Sequence, residues 1–146
     1  SLRQTLPGPI EGSHAHSSLL ADATTLVTAD LGDDSVLLHT LSGTTLTRTG
    51  RLAIGAGTGP RDLALTASGS LVVLGQLDGS LSVVDNGVGF DPAVLECKVA
   101  DGHIGLASLV VGIEEMGGSV RFAPTPGGGA TTVVRMLARH PAPQPA

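Results

Sequence analysis

The sequence predicts an α+β, mostly β chain of 146 residues, and three observations carry that expectation. Residues 1–84 alternate short apolar runs with Gly and Asp turns, the pattern of antiparallel strands. The same stretch repeats itself: Leu19 falls on Leu65, Val27 on Val73 and Leu31 on Leu77 at an interval of 46, after which Val36 meets Leu81 at 45. Beyond residue 84 a single run, Ile104 to Met116, carries apolar residues at helical spacing and stops at Gly117-Gly118.

The elements follow in order. Strands are predicted at residues 24–29, 35–41, 44–49, 62–66, 71–74 and 80–84, separated by turns that contain Gly or Asp. A repeat of this length with four strands per unit lies in the range of a β-propeller blade. Residues 1–84 hold fewer than two such units, whereas rings close with about four to eight. The strands at 71–74 and 80–84 carry no Lys or Pro, so they are expected to stand as open edges and to support self-association. After the helix come a strand at 119–123, a turn at 124–129 and a strand at 130–137. Residues 140–146, with three Pro in seven positions, are expected to be a disordered tail.

Composition narrows the functional classes. Phe90 and Phe122 are the only aromatic residues, so the core must be aliphatic. Net charge is −5, divided as −3 over residues 1–84 and −2 over 85–146. No basic patch is visible, which argues against nucleic-acid binding. The longest apolar run, Ile104 to Ile113, is far too short to span a membrane. No charged-then-apolar leader is legible, and the lone Cys97 excludes an internal disulfide. A soluble, cytoplasmic protein without membrane partners is expected.

Two glycine motifs suggest a ligand. Asp85-Asn86-Gly87-Val88-Gly89-Phe90-Asp91 leaves a strand, and Gly102-His103-Ile104-Gly105-Leu106 opens the helix. Glycine admits close backbone approach, and a helix start offers free N–H groups to phosphate oxygens. With the helix ending Glu114-Glu115-Met116-Gly117-Gly118 and the run Pro126-Gly127-Gly128-Gly129-Ala130-Thr131-Thr132, residues 85–139 resemble the ATP-binding (GHKL) domain of sensor histidine kinases. That resemblance implies a β-α-β-β remnant of the ATPase sandwich that binds ATP or ADP. Asp85 would accept a bond from the adenine amino group, a charge-assisted contact costly to leave unmade. Gly87 and Gly89 would keep the pocket wall bare, and the backbone at Gly102, Gly105 and Leu106 would face the phosphates. Thr131 or Thr132 would join the adenine-side network, and residues 92–101 would form a very short lid. The superfamily's Mg²⁺-orienting Asn lies on an upstream helix, yet the single Asn of this chain is Asn86, inside the motif. Mg²⁺ binding and kinase or ATPase turnover are therefore not expected.

Residues 11–84 resemble a different family, the lactonase-type seven-bladed propellers that include 6-phosphogluconolactonases. The matching residues are Gly12-Ser13-His14-Ala15-His16, Val27-Thr28-Ala29-Asp30-Leu31-Gly32 with Asp34 and Val36, Gly57-Thr58-Gly59-Pro60-Arg61, and Gly75-Gln76-Leu77. The resemblance implies a central site presenting His, Arg and Glu. His14, His16 and Arg61 match it, but Asp62 stands where the family has His and Gln76 where it has Glu. An amide at Gln76 cannot act as a general base. The two resemblances meet at Val84–Asp85 without a linker. They give three expectations of function: a degenerate adenine-nucleotide module or, as alternatives, a lactonase-like propeller fragment of the 6-phosphogluconolactonase type or a non-functional fusion product.

Several residues have plainer readings. His14 and His16 could face a metal from one strand face, but no third ligand is apparent. Asp30, Asp33 and Asp34 lack the spacing of a calcium loop and fit hairpin-turn chemistry. Glu114 and Glu115 fit a solvated helix face, and Cys97 an inert thiol.

Overall fold

The computed structural model describes residues 4–89 and 104–136. Strands β1 (Ala15–Leu20), β2 (Thr25–Asp30), β3 (Ser35–Ser42) and β4 (Thr45–Ala53) form one antiparallel sheet in that order. The second sheet begins β5 (Pro60–Leu65), β6 (Leu71–Gly75), β7 (Ser80–Val84). It then takes β9 (Ala130–Arg135) and ends with β8 (Ser119–Pro124). Helix α1 (Ile104–Glu115) precedes β8 and packs beside it. Gly118 ends the helix by donating its N–H to Ile113 O at 2.9 Å, while Gly117 turns the chain at φ 81°.

Side chains alternate across each sheet, and the register shows which faces meet. On the first sheet Leu19, Val27, Ala29, Val36, Leu38 and Leu52 share a face through the pairs Leu19–Val27, Val27–Leu38, Ala29–Val36 and Val36–Leu52. That face packs on Leu63, Leu71 and Val73 of the second sheet, with Val27, Val36 and Val73 at the centre. The side chains are all aliphatic, as the scarcity of aromatics requires. The sheets touch where β5 meets β1 and β2, and their outer strands diverge. That is how neighbouring propeller blades pack.

The hydrogen bonds correct the repeat interval to 45. Leu31 N donates to His14 O at 2.9 Å, and Gln76 N donates to Gly59 O at 2.9 Å, each residue displaced by 45. Asp33 and Asp78, also 45 apart, each take an arginine. Arg51 Nε of β4 lies 2.6 Å from Asp33 Oδ2, and Arg135 Nε of β9 lies 2.8 Å from Asp78 Oδ2. Strand β9 therefore occupies the fourth-strand position of the second unit and reproduces its Asp–Arg clasp.

That substitution overturns the expectation of open edges at residues 71–74 and 80–84. Strand β7 is paired with β6 on one side and with β9 along its whole length on the other, and β6 is interior. The edges are β1, β4, β5 and β8. Strand β1 is absent from the predicted strands, because three of its six positions, His16, Ser17 and Ser18, are polar and none carries a β-branched or aromatic side chain. Strand β4 runs to Ala53 past the bulge opposite Leu38/His39, beyond the predicted 44–49.

Candidate functional site

Two places bring polar residues of interest together. The first is the inner edge, where β1 and β5 lie side by side. Ser17 Oγ donates to Asp62 Oδ1 at 3.1 Å, tying the two strands. His16 and Arg61 are exposed and hold equivalent positions, 45 apart, on the two units. The Arg61 guanidinium donates to Gln76 Oε1. His14 stacks edge-on to His16 with ring centroids 5.1 Å apart, and its backbone N–H donates to Asp30 Oδ1 at 2.7 Å. The edge thus offers two imidazoles, a fixed guanidinium and an amide to solvent. The set can bind anions and hydroxyls, but Gln76 supplies no carboxylate base. Among the described residues no three His, Cys, Asp or Glu side chains gather into a metal site.

The local fold around this edge is set by aspartates. Asp30 is 1% exposed and accepts from Ser13 Oγ, His14 N and Asp33 N. Asp33 is clasped by Arg51, whose hydrogen bonds hold its carboxyl below the ordinary range against the upward pull of burial. Asp34, a non-glycine at φ 49°, accepts from Gly57 N and Gly59 N at 2.7 Å each, joining the β2–β3 turn to the loop that leads into the second sheet. The turn-chemistry reading of these three aspartates therefore holds. The joining role of Asp34 was missed, although the Gly57-Thr58-Gly59-Pro60 run was its signal.

The second place is a cleft of about 450 Å³ where the sheets diverge, lined by Val27, Leu38, Leu52, Leu71, Val84 and Asp85 and closed at one end by Thr125–Gly128. Asp85 Oδ1 accepts from Gly87 N at 2.9 Å and from Ala130 N at 3.0 Å. Gly129, at φ 91°, lies so close that a Cβ there would collide with the Asp85 carbonyl oxygen, and Gly89 also abuts Gly129. The two glycine loops interlock. Among the described residues of the nucleotide set only Asp85 lines the cleft. Thr131 pairs with Val84 and its hydroxyl meets Thr125 Oγ1 at 2.8 Å, whereas Thr132, paired with Val83 and Phe122, is on the opposite face. Gly105 and Leu106 fall in the first turn of α1. Gly102, the proposed lid at 92–101, Cys97 and the Pro-rich tail lie outside the described residues. Glu114 and Glu115 are exposed. No described helix is long and apolar enough to cross a membrane.

Residues 2–91 match the family described as lactonase, 7-bladed beta-propeller. With well over half of the chain matched, and two blade-like sheets in its fold, this chain belongs to the lactonase seven-bladed β-propeller family. The match runs through Asp85–Asp91, so the first glycine motif lies inside the lactonase segment. A crystal structure of a protein from Lactobacillus plantarum is similar at 28% identity, with a TM-score of 0.49, over 57% of this chain and 26% of that one. The chain thus spans about a quarter of that relative's length. No curated protein matches. The ATPase resemblance of residues 85–139 gains no support from these comparisons, and the lactonase-like propeller fragment is the reading that the family match favours.

Proposed function

We propose that this chain is a ligand-binding blade pair of the lactonase type, whose inner edge recognises an anionic sugar acid or its lactone. The observation that carries this is the Arg61 guanidinium fixed on Gln76, with His16 at the equivalent position of the preceding blade. Guanidinium recognises carboxylate and phosphate through directed N–H donors, and the imidazoles add donors and acceptors for hydroxyls. Lactone hydrolysis is expected to be slow or absent, because the position that would hold a carboxylate base carries Gln76. The test is an NMR titration with 6-phosphogluconate. Shift changes at His16, Arg61 and Gln76 are expected, with Arg61→Ala weakening binding roughly tenfold or more, in keeping with ~1.5–3 kcal/mol for hydrogen bonds to charged groups. Absence of perturbation at these residues at millimolar ligand would remove the proposal.

A second reading has one observation in its favour: Asp85 and the interlocked glycine loops border the cleft between the sheets. An adenine nucleotide there would bind weakly and with little dependence on Mg²⁺, since the metal-orienting Asn has no counterpart. Calorimetry with ADP, with and without Mg²⁺, separates the readings. No heat at millimolar ADP excludes the nucleotide, and strong Mg²⁺ dependence contradicts the missing metal arm.

A further inference from the structure

Asp34 ends the β2–β3 turn just before Ser35, and its φ of 49° is a left-handed conformation that strains a residue with a Cβ. Gly79 holds the same place 45 residues on, just before Ser80, at φ 64°. The second unit thus fills this backbone position with the residue that suits it, whereas the first fills it with a strained aspartate. What the aspartate adds is its carboxylate. Oδ2 accepts from Gly57 N and Oδ1 from Gly59 N, each at 2.7 Å, and the Asp34 carbonyl accepts from Ile54 N at 3.0 Å. A glycine at this position could keep the carbonyl bond but not the other two.

The segment that Asp34 grips leads directly to the inner-edge pair. Gly59 is followed by Pro60, which is fully buried and whose ring fixes φ, and then by Arg61. From the other side Gln76 N donates to Gly59 O at 2.9 Å and Leu77 N to Thr58 O at 3.1 Å. Gly59 is therefore held by its N–H to Asp34 and by its carbonyl to Gln76, and a Cβ on it would strike the Leu77 side chain. The Gln76 side chain in turn accepts from the Arg61 guanidinium. Both members of the pair thus take their places from one turn, Arg61 through Pro60 and Gln76 through its backbone. That turn is tied to the first sheet by the Asp34 carboxylate, and hydrogen bonds to a carboxylate are roughly twice as strong as neutral ones.

We propose that Asp34 is a positioning residue for ligand recognition at the inner edge, acting through the Gly57-Thr58-Gly59 turn to set Arg61 and Gln76 of the second sheet against His16 of the first. The inference rests on the reading of that edge as an anion site. Without the carboxylate the turn keeps its backbone bonds to Gln76 and Leu77 but loses its side-chain tie to the sheet that carries His16. The bond from Ser17 to Asp62 also joins the two sheets, but it is exposed to water. A ligand that spans His16 and Arg61 favours the same arrangement that Asp34 favours, so by linkage its binding tightens the Asp34 bonds to Gly57 and Gly59.

NMR of the full chain is the test, first without ligand. Asp34→Gly keeps the left-handed backbone and removes the carboxylate, so the Gln76 side-chain amide signals should move toward those of Arg61→Ala. Unchanged Gln76 signals overturn the proposal whatever a ligand does. With 6-phosphogluconate, Asp34→Gly should weaken binding roughly fivefold, and Asp34→Asn, which keeps one acceptor oxygen, by less. In an Arg61→Ala background Asp34→Gly should add nothing, because both changes act on one contact; losses that add overturn the proposal. Asp22→Ala is the control, since that carboxylate accepts from Thr24 N and Thr25 N at 2.7 and 2.9 Å in the β1–β2 turn. It should lower stability and leave affinity unchanged, and an equal loss of affinity would reduce Asp34 to a general structural role. A wild-type chain whose His16, Arg61 and Gln76 ignore the ligand defeats the functional reading, and the ligand-free signals then decide the positioning role alone. Should Asp34→Gly fail to fold by circular dichroism, Asp34→Asn carries the same comparisons.

Discussion

The two sheets solve one problem in different ways. Both fix an aspartate at the start of the third strand with an arginine from the fourth, but the first sheet draws that arginine from the next strand in sequence. There Arg51 follows Asp33 by 18 residues, through the β3–β4 hairpin. In the second sheet Arg135 comes from β9, 57 residues after Asp78. A blade's fourth strand is therefore defined by register and by the clasp, and the chain can supply it from a distant segment. The closure differs in consequence. The first sheet closes locally, whereas the second depends on the mutual fit of two glycine loops.

The largest expected effect lies in that fit. Gly129→Ala forces a positive φ on an L-residue and drives its Cβ into the Asp85 carbonyl. A loss of roughly 3 kcal/mol or more is expected, with the second sheet most affected. Gly43→Ala in the β3–β4 hairpin has φ 58° and open space around the new Cβ. It should cost only about 1 kcal/mol. Chemical denaturation of both variants compares them, and equal losses would show that the loops are not interlocked.

The clasps come next. Asp33 is more enclosed than Asp78, its side chain 4% exposed against 21%, and it is held by Arg51 through both carboxylate oxygens. Asp33→Ala should therefore cost about 2 kcal/mol and Asp78→Ala less, near 1 kcal/mol. Burial pulls the Asp78 carboxyl up, but the bonds from Ser80 and Arg135 outweigh that and hold it low, as Arg51 holds Asp33. With folded values below the unfolded one near 3.9, both contribute stability above about pH 4 and lose it as pH falls through the depressed folded values. Thermal melts between pH 5 and 2 should show a steeper decline for wild type than for either Ala variant.

The smallest effect concerns His39. Burial and, to a lesser degree, Arg48 keep its imidazole below the ordinary value, although a backbone bond to Leu26 favours the proton. The neutral ring's contribution is present above the unfolded value near 6.5 and declines as pH falls below it. His39→Leu should flatten the melting temperature between pH 7 and 5. An unaltered slope would place that dependence elsewhere.

Much of this was legible in the sequence, for physical reasons that particular residues show. Strands β2, β3, β6 and β7 follow from β-branched and Leu runs between Gly and Asp turns, and the helix stop from Gly117-Gly118. The lactonase resemblance rested on short runs such as Gly57-Thr58-Gly59-Pro60-Arg61, where two glycines at positive φ present their N–H groups to Asp34. The repeat was visible but misread by one residue, because Val72 and Val73 are adjacent and both apolar. A slip of one exchanges the two faces of a strand, and with it which face looks covered. The pairing of β9 with β7 was not legible at all. No local pattern in Ala130–Arg135 names its partner, and the clasp of Arg135 on Asp78 is visible only in space. For the same reason Thr131 and Thr132 seemed interchangeable, whereas the pleat sets them on opposite faces.

The central claim is that β9 completes the second blade, and backbone hydrogen exchange along β7 tests it most directly. Successive amides of an antiparallel strand point to alternate neighbours. With β6 and β9 both paired, the amides of Leu81, Ser82, Val83 and Val84 should all exchange slowly and together. Fast exchange at every second of these amides, as on an open edge, would contradict the account.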